Sequence, residues 1–188
     1  YNDKVVAVAE RMPNDRLGWE SAHMATIGLD MSLVERVNVT LDLYSTDNKN
    51  LLLDVPQAPS TGFTEYTANV GTVNNKGIEI AFDADIIKTK DWKWNLGANI
   101  GMNRNTVKYL PNGSFRRGFG TPLVEQIVAE GRDIYTWYMP EWAGVDPETG
   151  MIQYEDYNKD GKISNADKHY IGNANPLFTA GFNNTVSW

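Results

Sequence analysis

Five stretches of this chain alternate apolar and polar residues with a period of two, and no other feature limits its fold as tightly. Ile27, Leu29, Met31 and Leu33 alternate with Gly28, Asp30 and Ser32. Val37, Val39, Leu41 and Leu43 alternate with Asn38, Thr40, Asp42 and Tyr44. Ile78, Ile80, Phe82, Ala84 and Ile86 enclose Glu79, Ala81, Asp83 and Asp85. Trp92, Trp94, Leu96, Ala98, Ile100 and Met102 are spaced by Lys93, Asn95, Gly97, Asn99 and Gly101. Phe178, Ala180, Phe182, Val186 and Trp188 repeat the pattern more loosely. Period-two alternation gives a strand one apolar and one polar face, so the chain is predicted to be all-β and antiparallel.

The connections between these strands are unequal. Val34–Arg36 and Ile87–Asp91 are short turns. A long polar link runs from Thr46 to Asn75 through Pro56, Pro59 and Gly62. After the fourth strand an excursion of about 70 residues, Thr106 to Pro176, precedes the last one. A compact soluble domain rarely carries so long a loop unless it is functional or folded in its own right. Short turns at one end and long loops at the other are the plan of an outer-membrane barrel. Inside the excursion, Leu123–Val128 reads as a short helix started by Thr121-Pro122 or as a strand. Ile134–Trp142 is rich in aromatics, and Asp146–Gly150 is a turn. Residues 1–18 read as a loop or short helix, with an apolar run at Val5–Ala9 and a turn at Asn14–Gly18.

The apolar face can meet either lipid or a second sheet. Trp92 to Met102 matches the ~9–11 residues a tilted strand needs to cross hydrocarbon, whereas soluble strands average ~5–6. Paired Trp92 and Trp94 beside a turn suit an interfacial aromatic girdle, and the Asn- and Gly-rich opposite face suits a hydrated lumen. No apolar run reaches the length of a membrane helix, which leaves membrane strands open. The chain carries 24 acidic and 17 basic residues, net −7. The basic residues are scattered, which argues against nucleic acid as a partner. Cysteine is absent, so disulfides and thiol chemistry are excluded. A start at Tyr1 without Met reads as a mature or excised piece.

The segment Asp156–Asp167 has the ligand spacing of an EF-hand-like loop. Oxygen side chains fall at positions 1, 3, 5, 9 and 12 as Asp156, Asn158, Asp160, Ser164 and Asp167. Gly161 stands at position 6 for the bend, and Lys162 at 7 offers its carbonyl. This arrangement suits a hard cation, and Ca²⁺ is the expected structural ion. Asp167 stands where a longer glutamate is usual, which weakens the site, and the plain alternative is a polar turn holding water. Trp137, Tyr138 and Trp142 are candidates for stacking on a substrate, against internal packing as the commoner use. Glu79, Asp83 and Asp85 belong to the polar face and can line a transport path, against a merely solvated wall as the commoner use. His23 and His169 lie far apart in sequence, and no nucleophile or acid–base pair stands out, so the chain is expected not to be an enzyme.

The order of short motifs carries a resemblance. It comprises Leu17-Gly18-Trp19-Glu20 before Gly28-Leu29-Asp30, then Asn69 with Gly71, and Asn74-Asn75-Lys76-Gly77-Ile78-Glu79. Trp94, Asn99, Asn103 and Asn105 follow, then Ala143-Gly144-Val145-Asp146, Tyr154-Glu155-Asp156, Ile171-Gly172, Pro176 and Gly181. In these the chain resembles the SusC/RagA family of TonB-linked outer-membrane transporters, in the later part of the barrel. The resemblance implies a fragment of a large plugged transmembrane β-barrel of roughly 22 strands, in the outer membrane of a Gram-negative bacterium. It further implies import of oligosaccharides or peptides, a SusD-like surface lipoprotein as partner, and energy from TonB through an N-terminal part not present here. The expected layout is barrel strands over 19–106 with one long loop at 46–75, an extracellular excursion over 107–176 with its ion loop at 156–167, and a barrel strand over 177–188, where the chain is read as truncated. The alternative is a soluble, secreted, calcium-stapled β module that binds glycan.

Overall fold

The computed structural model describes residues 12–111, 113–118 and 123–188. Of the expected loop or short helix over 1–18, residues 1–11 lie outside the described residues, as do Thr121 and Pro122. Residues 15 and 16 form a turn. In chain order the strands are β1 (Ser21–Leu33), β2 (Val37–Lys49), β3 (Leu52–Pro56), β4 (Glu65–Asn69), β5 (Thr72–Lys88) and β6 (Lys93–Tyr109). They continue as β7 (Ser114–Gly118), β8 (Glu125–Ala129), β9 (Thr136–Met139), β10 (Trp142–Val145), β11 (Ile152–Tyr154), β12 (His169–Asn173) and β13 (Thr179–Ser187). Every pairing between them is antiparallel.

The five alternating segments form one wall in the order β1-β2-β5-β6-β13. Their register aligns the apolar residues strand by strand. Leu29 pairs with Leu41, Leu41 with Ile80, Ile80 with Ile100 and Ile100 with Ala180. Two residues along, Met31, Val39, Phe82, Ala98 and Phe182 make the next row. A one-residue slip at any strand would turn its apolar set to the polar side, so this pattern pins the register. The wall is an open sheet within this chain, not a closed barrel.

The strands run further than the alternation indicates. β5 and β6 have 17 residues each, roughly 55 Å at ~3.3 Å per residue. Much of the stretch 46–75, expected as a loop, is strand: the end of β2, the β3–β4 hairpin and the start of β5. Strand β6 begins at Lys93, so Trp92 belongs to the turn. There Trp92 N–H donates to Thr89 Oγ1 at 3.0 Å and its carbonyl accepts from Thr89 N–H at 2.8 Å. Of the Leu123–Val128 stretch, residues 125–128 are strand, since β8 pairs with both β7 and β9.

The buried core sits at one end of the wall. Val73, Val107, Leu110 and Val128 pack together with Leu51, Leu53, Phe115 and Ile134 around them. By strand parity Val73 and Val107 stand on the polar face, so the excursion folds back over that side. The apolar face has no such cover among the described residues: Ile27 is 73% exposed and Phe182 71%.

Three positions of the Asn74–Glu79 motif have a structural explanation. Asn74 is buried, and its Nδ2 donates to Asp47 Oδ1 at 2.8 Å and Ser45 Oγ at 3.2 Å, which ties β5 to β2. Asn75 Oδ1 accepts from Asn105 Nδ2 at 2.7 Å, and Asn105 Oδ1 accepts from Ile134 N–H at 3.1 Å. Gly77 leaves room for Tyr44, whose hydroxyl donates across it to Asn103 Oδ1 at 3.2 Å. Asn69 fastens the lead-in segment. Its Oδ1 accepts from Gly18 N–H at 2.6 Å, while its Nδ2 donates to the carbonyls of Gly18 (2.9 Å) and Asn50 (3.0 Å).

Candidate functional site

The polar face of the wall and the folded excursion enclose a cleft of about 840 Å³. Tyr44, Asn103 and Asn105 line it from the wall, and Arg132, Tyr170 and Asn175 from the excursion. Arg132 lies 4.1 Å over the Tyr170 ring, a cation–π contact that fixes both. Asn175 Nδ2 donates to both carboxylate oxygens of Asp133, at 2.9 and 3.1 Å, and so holds the return of the chain to β13. Further down the same face stand Asp30, Asp42, Glu79, Asp83 and Asp85. Asp30 accepts from Thr40 Oγ1 at 2.7 Å, and Asn95 Nδ2 bridges Asp83 and Asp85 at 3.2 Å each. The cleft therefore opens onto an acidic, hydrogen-bonding wall.

The three aromatic candidates do not gather at this cleft. Trp137 and Tyr138 are neighbours on β9, so they point to opposite faces of the four-stranded sheet β12-β9-β8-β7. Tyr138 meets Tyr170 edge-on at 5.4 Å and carries Arg116 at 5.1 Å over its ring. Trp142 lies in the separate β10–β11 hairpin and is exposed. Tyr44 and Tyr170 are the aromatics on the cleft wall, and sequence reading did not select them. Their signal is positional: each is brought in by a partner strand.

The segment 156–167 folds into a tight loop built from its own side chains. Asp156 accepts backbone N–H bonds from Asp160 (3.1 Å) and Gly161 (2.7 Å), and Asn158 Oδ1 also accepts from Asp160 N–H at 3.0 Å. Asp160 Oδ1 accepts from Lys162 N–H at 2.9 Å. Gly161 takes φ +82°, a conformation that favours glycine. Asp167 is fully buried and closes the loop by accepting from Ser164 N–H (2.7 Å) and Asn158 N–H (3.3 Å). The Ser164 N–H bond, against burial and with the Asn158 bond helping, holds the Asp167 carboxyl below the usual range. The next residue, Lys168, is also buried, with its Nζ 3.1 Å from Glu125 Oε2 on β8. The exit of the loop is thus anchored in the four-stranded sheet.

His169 follows directly. Its Nδ1 faces the Asp167 carbonyl at 3.0 Å and its Nε2 faces Glu141 Oε2 at 3.2 Å. The carbonyl contact, opposed by burial and helped by Glu141, lifts His169 above the ordinary imidazole value. In the β10–β11 turn, Asp146 accepts from the N–H groups of Thr149 and Glu148 at 2.9 Å each, which holds its carboxyl below the usual range.

Comparison with known proteins gives a consistent picture. The profile of the family described as TonB dependent receptor-like, beta-barrel, matches residues 5–185. TonB-dependent receptor P3 of Formosa agariphila is 30% identical over 196 residues, covering 93% of this chain and 20% of that protein. TonB-dependent receptor SusC of Bacteroides thetaiotaomicron is 33% identical over 102 residues, covering 53% of this chain and 10% of that protein. Among solved structures, the RagAB peptide transporter superposes with a TM-score of 0.76 at 27% identity, over 93% of this chain and 20% of that one. The RagAB peptide importer in its "open-open" state gives 0.75 at 26% identity, over 95% and 20%. This chain spans about a fifth of the length of the relatives matched along most of it.

Proposed function

This chain belongs to the TonB-dependent receptor β-barrel family, and from that premise we propose that it supplies five wall strands and an extracellular cap to an outer-membrane barrel that imports oligosaccharides or peptides. The observation that carries this reading is the apolar face, interrupted on β13 by Asn184 opposite Leu96. It crosses five strands in register, while the core cluster of Val73, Val107, Leu110 and Val128 lies on the opposite side at one end. A sheet with that face in water would be an aggregation hazard; in lipid it is satisfied. Trp92 and Trp188, with ring centroids 6.2 Å apart, mark the short-turn end of the band together with Trp94, as an interfacial girdle does. The β3–β4 hairpin and the excursion cluster at the other end, taken as extracellular. The names of the relatives support TonB as the energy source, and the RagAB titles make peptide a fitting cargo class. The SusD-like lipoprotein over that end rests on the resemblance to the SusC/RagA family.

Adjacent positions on β5 provide the test. With no cysteine of its own, the stretch accepts single Ile80→Cys and Ala81→Cys substitutions in the full-length protein. In lipid vesicles the Ile80→Cys label is expected to be quenched by a lipid-borne quencher and shielded from aqueous thiol reagents. Ala81→Cys should show the reverse. Equal aqueous labelling at both positions would end the membrane-wall reading.

The same reading assigns the loop 156–167 to Ca²⁺. Asp156, Asn158 and Asp160 bring three oxygen groups into one turn, with the Lys162 carbonyl and Ser164 beside them. The Asp167 carboxylate is taken up by the Ser164 N–H and hydroxyl and the Asn158 N–H, so it would steady the loop around the ion. An oxygen-only donor set suits a hard ion. The ion would brace the excursion rather than take part in transport. Titration calorimetry on the full-length protein should show heat with Ca²⁺ at or below millimolar concentration. The Asp156→Ala/Asp160→Ala variant should lose that heat and keep a folded barrel. A wild type without heat leaves a plain turn.

A further inference from the structure

Glu141, Glu155 and His169 form a second donor cluster, outside the loop 156–167, and we propose that it binds a divalent transition-metal ion of the zinc class. One ligand atom from each of the three lies within 4.8 Å of the others. They are far apart in sequence, and three separate contacts assemble them. Glu155 N–H donates to the Glu141 carbonyl at 2.8 Å, which closes the open end of the β10–β11 hairpin and sets the two glutamates side by side. His169 pairs with Met139 across the β12–β9 ladder, and buried Pro140 joins Met139 rigidly to Glu141. Buried Asp167 and Lys168 fix the chain that enters His169.

The imidazole is held as a ligand rather than as a loose surface group. Tyr157 stacks on it with centroids 4.3 Å apart and planes 22° from parallel. A carbonyl only accepts, so the Nδ1 facing the Asp167 oxygen carries the hydrogen. When the ring is neutral, its Nε2 lone pair points at the carboxylates, 3.2 Å from Glu141 Oε2. Lone pair against carboxylate repels unless a cation sits between them. A ring nitrogen fixed by a hydrogen bond from its other nitrogen is also the usual outer support of a metal-bound histidine. One imidazole and two carboxylates match zinc and its neighbours better than Ca²⁺, which prefers oxygen throughout. Water would complete the coordination. Bound there, the ion ties the β10–β11 hairpin to the four-stranded sheet, a role independent of what the barrel carries.

The experiment uses the full-length protein in detergent, stripped with a chelator and titrated with Zn²⁺ against a chromophoric competitor near neutral pH. His169→Ala and Glu141→Gln are each expected to weaken binding by about tenfold or more. Asp160→Ala, in the neighbouring loop, should leave zinc affinity unchanged. Because Glu141→Gln keeps the size of an exposed side chain, it retains the fold even where His169→Ala does not. Substituted Co²⁺ should give a visible absorption band that the Glu141→Gln variant loses. Equal zinc affinity in wild type and Glu141→Gln overturns the proposal and leaves a proton as the bridging cation. Loss of zinc with Asp160→Ala alone overturns it too, in favour of the loop.

Discussion

Lysine in place of Ile80 is expected to destabilise the folded barrel by about 2–4 kcal/mol, and lysine in place of Ala81 by less than about 0.5 kcal/mol. Ile80 pairs with Leu41 and Ile100 in the middle of the apolar band. A charge there must cross hydrocarbon or distort the bilayer around it. Ala81 lies one residue on, between Thr40 and Asn99, and its added charge points into water. Denaturant unfolding in lipid vesicles measures both. The Ile80→Lys midpoint should fall with an unchanged slope, which marks a change in stability alone. Similar shifts at the two positions would mean that the two faces share one environment.

Gly77→Val should be the second large effect, about 1–3 kcal/mol or more, through overpacking. The backbone there is ordinary, so the constraint is space. An added Cβ would meet the Tyr44 ring and hydroxyl at 2.5 Å and would also press on the Met102 carbonyl. Tyr44 can leave by rotating, at the cost of its bond to Asn103, but the carbonyl belongs to the β5–β6 ladder and cannot. Adding Tyr44→Ala to the valine variant is therefore expected to restore part of the stability and not all of it, a coupling of about 0.5–3 kcal/mol. Thermal unfolding of the four proteins of the cycle gives the value. Full recovery would show that the ring is the sole obstacle.

Alternation located all five wall strands because a buried or lipid-facing side requires it. It lost them where the apolar band stops. Ser45–Lys49, Thr72–Gly77 and Arg104–Tyr109 keep their cross-strand pairing with only isolated apolar residues such as Val73 and Val107, so the pairing continues without an alternation to announce it. Strand β8 stayed ambiguous for a related reason, since its strand character comes from β7 and β9 on either side. The loop 156–167 was legible because its oxygen groups are local and evenly spaced. The cleft and the Glu141–Glu155–His169 cluster were not, because each exists only once separate strands pair. The aromatic run Trp137-Tyr138 drew attention by composition, yet consecutive residues of a strand face opposite ways.

The excursion leaves the wall at Tyr109 and returns at Thr179 to a strand hydrogen-bonded directly to the one it left, with Thr179 opposite Gly101. Departure and return are neighbours, so the whole cap is an insertion into a single hairpin. Selection can lengthen, recolour or replace it without moving one rung of the β6–β13 ladder. Caps should be exchangeable between relatives at these two junctions, with the wall inherited intact.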